Sequence, residues 1–196
     1  MLLTYANQLT ILRMIFVPCF VLMLIYGYTR AAALVFLIAG VTDALDGLLA
    51  RRLDQRTSLG SYLDPMADKI LLTAAFVTLS IHSVPVVAHI PVWLTVLTIS
   101  RDVIIALSAL IIHLRTGHSE FPPSLLGKGT TTAQLVTVGA CLFANITTIV
   151  FLAVFEASVY ASLVLTVASG LHYAWRSARL IEAHQQNAPD HGKRGS

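Results

Sequence analysis

Asp43, Asp46, Asp64 and Asp68 interrupt long apolar runs in the stretch VTDALDGLLARRLDQRTSLGSYLDPMADK. The first two are three apart and the second two four apart, so each pair shares a helix face. At about 100° per residue, Asp43, Asp46, Gly47, Ala50 and Arg51 fall within roughly 140° of arc, with Leu45, Leu48 and Leu49 opposite. The same projection places Gly60, Asp64, Ala67 and Asp68 on one face of the next helix. Four carboxylates on two consecutive helices make a cage for hard divalent cations, and oxygen ligands suit Mg²⁺ or Mn²⁺ better than zinc. Gly47, Ala50 and Gly60 leave space on the acidic faces, either for close helix packing or for a ligand. A nucleotide diphosphate bridged by metals and gripped by Arg51 fits such a space.

The elements that must position these residues are helices in a membrane. The 196-residue chain is 56% hydrophobic and 12% charged, with a mean hydropathy of +0.76. A soluble domain is about a quarter charged. Apolar runs predict an all-α integral membrane protein, with six transmembrane helices in one bundle at about 8–28, 31–51, 60–82, 90–113, 128–152 and 157–176. The more polar opening LLTYANQLTILR predicts a short N-terminal interfacial segment. Residues 1–182 form the membrane domain, and 183–196 (AHQQNAPDHGKRGS from 183) read as a polar, disordered cytoplasmic tail. No acidic repeat elsewhere suggests an inverted-repeat transporter.

Charge fixes the orientation. Arg51, Arg52, Arg56, Arg115, Lys128, Arg176, Arg179, Lys193 and Arg194 fall at one set of helix ends, and Arg30 alone at the other. The expectation is a multi-pass protein of the cell (inner) membrane, with both termini cytoplasmic and no cleavable signal. The net charge of +3 follows this topology and forms no patch for nucleic acid. Cys19 and Cys141 lie in apolar segments and read as packing residues. The seven histidines show no ligand spacing. Asn145-Ile146-Thr147 matches a glycosylation acceptor, but falls inside the fifth predicted span.

A charge in the hydrocarbon region costs about 3 kcal/mol on the mildest scale. Asp43, Asp46, Asp64, Asp68, Lys69, Arg101 and Asp102 therefore need mutual compensation, a watery cavity or metal. Lys69 and Arg101 could serve as structural counterions. The motif's four carboxylates outnumber them, which favours bound metal. Arg101 and Lys128 sit towards the cytoplasmic half, where they could also bind a phosphate.

The pattern Asp43-x-x-Asp46-Gly47-x-x-Ala50-Arg51, eight residues, Gly60-x-x-x-Asp64-x-x-x-Asp68 resembles the signature of the CDP-alcohol phosphatidyltransferases at every defining position. Asn7-x-x-Thr10-x-x-Arg13 resembles the family's N-terminal element. The resemblance implies a homodimeric membrane enzyme in which Asp43, Asp46, Asp64 and Asp68 hold two divalent ions and Asp68 is also the general base. It places Asp46, Gly47, Ala50, Arg51 and Gly60 on the CDP moiety of CDP-diacylglycerol. The phosphatidyl group would pass to an alcohol, releasing CMP. ISRDVI and LGKGTTTAQL resemble the glycerol-phosphate branch, whose acceptor is glycerol 3-phosphate or, for cardiolipin, phosphatidylglycerol. Ser100-Arg101-Asp102 tilts towards the latter, and Arg101 and Lys128 would meet the acceptor. Inositol phosphate is an alternative acceptor. The rival readings are an aspartate-rich prenyltransferase, which leaves Gly-x-x-Ala-Arg unexplained, and a cation transporter using intramembrane carboxylates.

Overall fold

The computed structural model describes the backbone of residues 5–53, 58–116, 125–147 and 150–186, and the side chains of 14–42, 69–108, 126–147 and 151–175. Six helices follow in order: α1 (Tyr5–Ile25), α2 (Thr29–Leu53), α3 (Ser58–Ser80), α4 (Val92–Thr116), α5 (Leu125–Ala144) and α6 (Val150–Gln186). Among the described residues there is no strand. The all-α, six-helix expectation is met. The opening segment expected at the interface is helical from Tyr5 and continuous with α1.

Two boundaries differ from the hydropathy reading. The fifth helix ends at Ala144 instead of 152, because the Asn145 side chain is taken up by the neighbouring 81–91 loop. The sixth runs on to Gln186, well past 176. Its last turns, SARLIEAHQQ, hold good helix formers and neither Gly nor Pro, so the helix continues after the apolar run has stopped. Residues 187–196 lie outside those described.

α1 packs against both α2 and α3, α4 against α3 and α6, and α5 against α2, α3 and most extensively α6. Among the described residues α2 and α3 do not touch directly; α1 and α5 bridge them. Phe20 of α1 and Phe36 of α2 meet with ring centroids 5.9 Å apart. The α1–α2 turn closes as a Schellman cap, with Tyr28 N–H donating to Met23 O at 2.8 Å and Gly27 N–H to Leu24 O at 3.0 Å. Gly27 has φ 79°, and a Cβ there would come within 3.3 Å of Pro85 Cγ. The left-handed backbone favours glycine there, and the space for a side chain is tight as well.

The core is apolar, with Phe20, Leu24, Phe76, Leu79 and Leu94 enclosed, but it also holds hydroxyl side chains while large apolar ones lie outside. Thr130, Thr137, Ser162 and Ser169 are fully enclosed, while Leu34, Val96, Tyr160, Val164 and Leu171 face outward. Small and hydroxylated residues let the backbones approach and bond across the seam. Thr130 Oγ1 donates to Leu165 O at 3.1 Å and Thr137 Oγ1 to Ser158 O at 3.0 Å, both tying α5 to α6. The run Thr130-Thr131-Thr132 also bonds back to the Leu126, Gly127 and Lys128 carbonyls, so no hydroxyl of the three is stranded. The stretch Phe151–Trp175 of α6 is long and apolar enough to cross a membrane.

Candidate functional site

The motif divides between two helices. Asp43, Asp46, Gly47, Ala50 and Arg51 lie in the C-terminal half of α2; Gly60, Asp64 and Asp68 lie in the N-terminal half of α3. Both halves are helical, as the three- and four-residue spacings require, and they flank one connection. The side chains of these eight residues fall outside the described set. The donor chemistry remains a statement of the sequence: four carboxylates at helical spacing, which fit hard divalent cations.

The described part of the site begins one residue after Asp68. Lys69 Nζ of α3 lies 2.7 Å from Asp102 Oδ2 of α4. Arg101 Nη1 donates to the other oxygen, Asp102 Oδ1, at 2.8 Å. Arg101 Nη2 donates to Ser169 Oγ of α6, and its guanidinium carbon sits 5.9 Å from the centre of the Tyr173 ring. One carboxylate thus takes both cations, with a net charge of +1 (two cations, one anion), and joins α3, α4 and α6. Arg101 is 8% exposed, Asp102 21% and Lys69 54%, so the cluster opens outward through Lys69. Arg101 lies against α6 beside Gly170, where even a Cβ would only touch Arg101 Cγ, at 3.7 Å.

Lys69 and Arg101 do serve as counterions, both to the single carboxylate of Asp102. Arg101 is paired, as one of the two roles considered for it requires, and it is the most buried cation among the described residues. Lys128 stands apart, exposed in the first turn of α5. Sequence reasoning missed Ser169 and Tyr173, which are 68 and more residues away and lie in a span with no motif. It also missed Thr98 and Gln134, which line a small cavity beside the Lys69–Asp102 pair. A polar residue in an apolar helix was the available signal for Gln134.

Cys141 packs in the core as expected, its thiol 3.3 Å from Ala88 O. His82 and His89 stack on each other with centroids 5.1 Å apart. Among the described residues no group of His, Cys, Asp or Glu is arranged to hold a metal.

Comparison with known proteins agrees with the motif. The family model for CDP-alcohol phosphatidyltransferase matches residues 3–168. A probable phosphatidylglycerophosphate synthase of Mycobacterium tuberculosis is 34% identical over 194 residues, covering 93% of this chain and 86% of its own. A CDP-diacylglycerol–glycerol-3-phosphate 3-phosphatidyltransferase of Haemophilus influenzae is 37% identical over 174 residues, covering 84% and 88%. A cardiolipin synthase (CMP-forming)/mitochondrial hydrolase fusion protein of Schizosaccharomyces pombe is 32% identical over 151 residues, 69% of this chain and 24% of the relative. With its eight-position motif split between α2 and α3 and a family match running from α1 into α6, the chain belongs to the CDP-alcohol phosphatidyltransferase family.

Proposed function

We propose that this protein transfers the phosphatidyl group of CDP-diacylglycerol to glycerol 3-phosphate, releasing CMP and forming phosphatidylglycerophosphate. The observation that carries the reading is the intact aspartate motif on α2 and α3, in a chain whose full-length relatives bear that activity in their names. A multi-pass bundle of the cell membrane with both termini cytoplasmic completes the proposal. It is supported by the outward-facing Leu, Val and Tyr side chains and by the one-sided Lys and Arg distribution. A homodimer remains part of the family-based expectation.

In this reading Asp43, Asp46, Asp64 and Asp68 hold two Mg²⁺ or Mn²⁺ ions. Bound there, the ions would neutralise charge on the attacking and leaving oxygens. Arg51 grips the diphosphate, while Asp46, Gly47, Ala50 and Gly60 shape the nucleotide's space. Asp68 takes the proton of the acceptor hydroxyl as that oxygen attacks the phosphorus bonded to diacylglycerol. The bond to the CMP phosphate oxygen breaks, and CMP departs. The cluster of Lys69, Arg101 and Asp102 keeps one net positive charge, and Lys128 adds another. Both favour an acceptor that itself carries a phosphate.

Phosphatidylglycerol as acceptor is the second reading, favoured by the cardiolipin synthase fusion relative and by Ser100-Arg101-Asp102. CMP release by purified protein decides, with CDP-diacylglycerol, Mg²⁺ and either glycerol 3-phosphate, phosphatidylglycerol or inositol phosphate. Release driven by glycerol 3-phosphate and abolished by EDTA is expected. Release driven only by another acceptor overturns the acceptor assignment, and EDTA-resistant release overturns the metal.

A further inference from the structure

Between α3, α4 and α5 lies a cavity of about 30 Å³, walled by Lys69, Phe76, Thr98, Asp102, Thr131 and Gln134 among others. Its charged end is the more exposed, through Lys69. Its inner end is buried, with Gln134 4% and Thr98 6% exposed. Gln134 Nε2 and Thr98 Oγ1 have no hydrogen-bond partner, whereas the Thr131 hydroxyl is engaged by Gly127 O at 3.2 Å. Buried polar atoms are nearly always paired, so two unpaired ones in a single cavity call for an occupant.

The lining states what that occupant is. That volume, the space open to the centre of a water-sized group, is more than one water or hydroxyl needs, and the Asp102 carboxylate in the wall disfavours a phosphate. Gln134 Nε2 and Lys69 Nζ offer protons, the Asp102 carboxylate accepts one, and Thr98 Oγ1 can do either. A methylene would leave both inner atoms unpaired, and an ammonium would face Lys69. A hydroxyl, which donates and accepts at one oxygen, satisfies the set.

We propose that this slot receives the hydroxyl of the acceptor alcohol that does not react, and that Gln134 and Thr98 select polyol phosphates over simpler ones. The proposal rests on the phosphatidyl-transfer reading. Glycerol 3-phosphate has one primary hydroxyl to attack with and a secondary hydroxyl that stays free. Lys69, at the mouth, directly follows the proposed base Asp68 in α3, so the cavity opens one residue along the helix from that base. A site built to bond a hydroxyl rejects the analogue lacking it, because its own polar groups are then left unpaired.

The test measures CMP release by the full chain with CDP-diacylglycerol and Mg²⁺, comparing kcat/KM for glycerol 3-phosphate and for propane-1,3-diol monophosphate. The wild type is expected to favour glycerol 3-phosphate by about tenfold or more. In Gln134→Leu the rate with glycerol 3-phosphate should fall much further than that with the diol phosphate, bringing the ratio to about two or less. The near-isosteric Thr98→Val should narrow the ratio in the same direction, and covers the case in which Gln134→Leu does not fold. Equal losses with both acceptors, or a wild type indifferent to the second hydroxyl, overturn the slot but leave phosphatidyl transfer standing. A wild type that releases no CMP with either acceptor overturns both.

Discussion

Asn145, at the end of α5, has every bonding position filled: Oδ1 accepts from Val87 N at 2.6 Å and Ala88 N at 2.8 Å, and Nδ2 donates to Ala88 O at 3.0 Å and Cys141 O at 2.8 Å. Gln134, about 16 Å along the same helix, has an amide nitrogen with no partner and a cavity in front of it. Both are carboxamides, Gln134 within α5 and Asn145 just past its last residue. One closes the α3–α4 loop onto the end of the bundle and leaves no room for anything else. The other lies beside two cations sharing one carboxylate, in a region where three helices meet. A saturated amide is a structural clamp, whereas an unsaturated one beside charge and space is a place for a ligand.

Four substitutions test that contrast. Asp68→Asn should have the largest effect on turnover, about 10²- to 10⁴-fold, with CDP-diacylglycerol binding largely kept, because a base is lost and most ligands remain. Unchanged turnover would remove Asp68 from the chemistry. At the clamped end, Asn145→Ala strands the Ala88 N–H, while the exposed Val87 N–H turns to solvent, and should cost about 1–2 kcal/mol. It should show as a lower Tm in detergent with the acceptor KM unmoved; a KM change would mean that the two ends are not separate.

Arg101→Ala should raise the acceptor KM about tenfold and the donor KM less, since Asp102 then keeps only Lys69 and the cluster loses its surplus charge. A change confined to the donor would move Arg101 out of the acceptor side. The smallest effect belongs to Cys141→Ala, about 1 kcal/mol of stability with normal kinetics, because a buried thiol contact is lost while Asn145 keeps its bonds. A kinetic defect there would show that the clamp reaches the site.

Much of the site's chemistry was legible from local spacing. Aspartates three and four apart share a helix face wherever that helix is placed, so Asp43, Asp46, Asp64 and Asp68 could be grouped before any fold was known. The helices themselves were legible from apolar run length, which a membrane makes a strong signal. Run length failed at the two places where hydropathy is not what ends a helix. At Asn145 a side chain bonded to a distant loop stops α5 early, and after 176 polar helix formers carry α6 onward. The glycerol-phosphate branch could be read from short stretches, but not the acceptor within it: Ser100-Arg101-Asp102 tilts towards phosphatidylglycerol, while relatives named for phosphatidylglycerophosphate or glycerol 3-phosphate support the other reading.

What the chain determined by itself was therefore the set of carboxylates, the count of helices and the sidedness of its basic residues, all of which are properties of neighbours along the backbone. Which acid neutralises Lys69, that Arg101 reaches Ser169 on a helix 68 residues away, and that Gln134 and Thr98 face one cavity were decided only by tertiary packing. A salt bridge or a cavity depends on which faces of non-adjacent helices meet, and helical periodicity specifies a face without naming its partner.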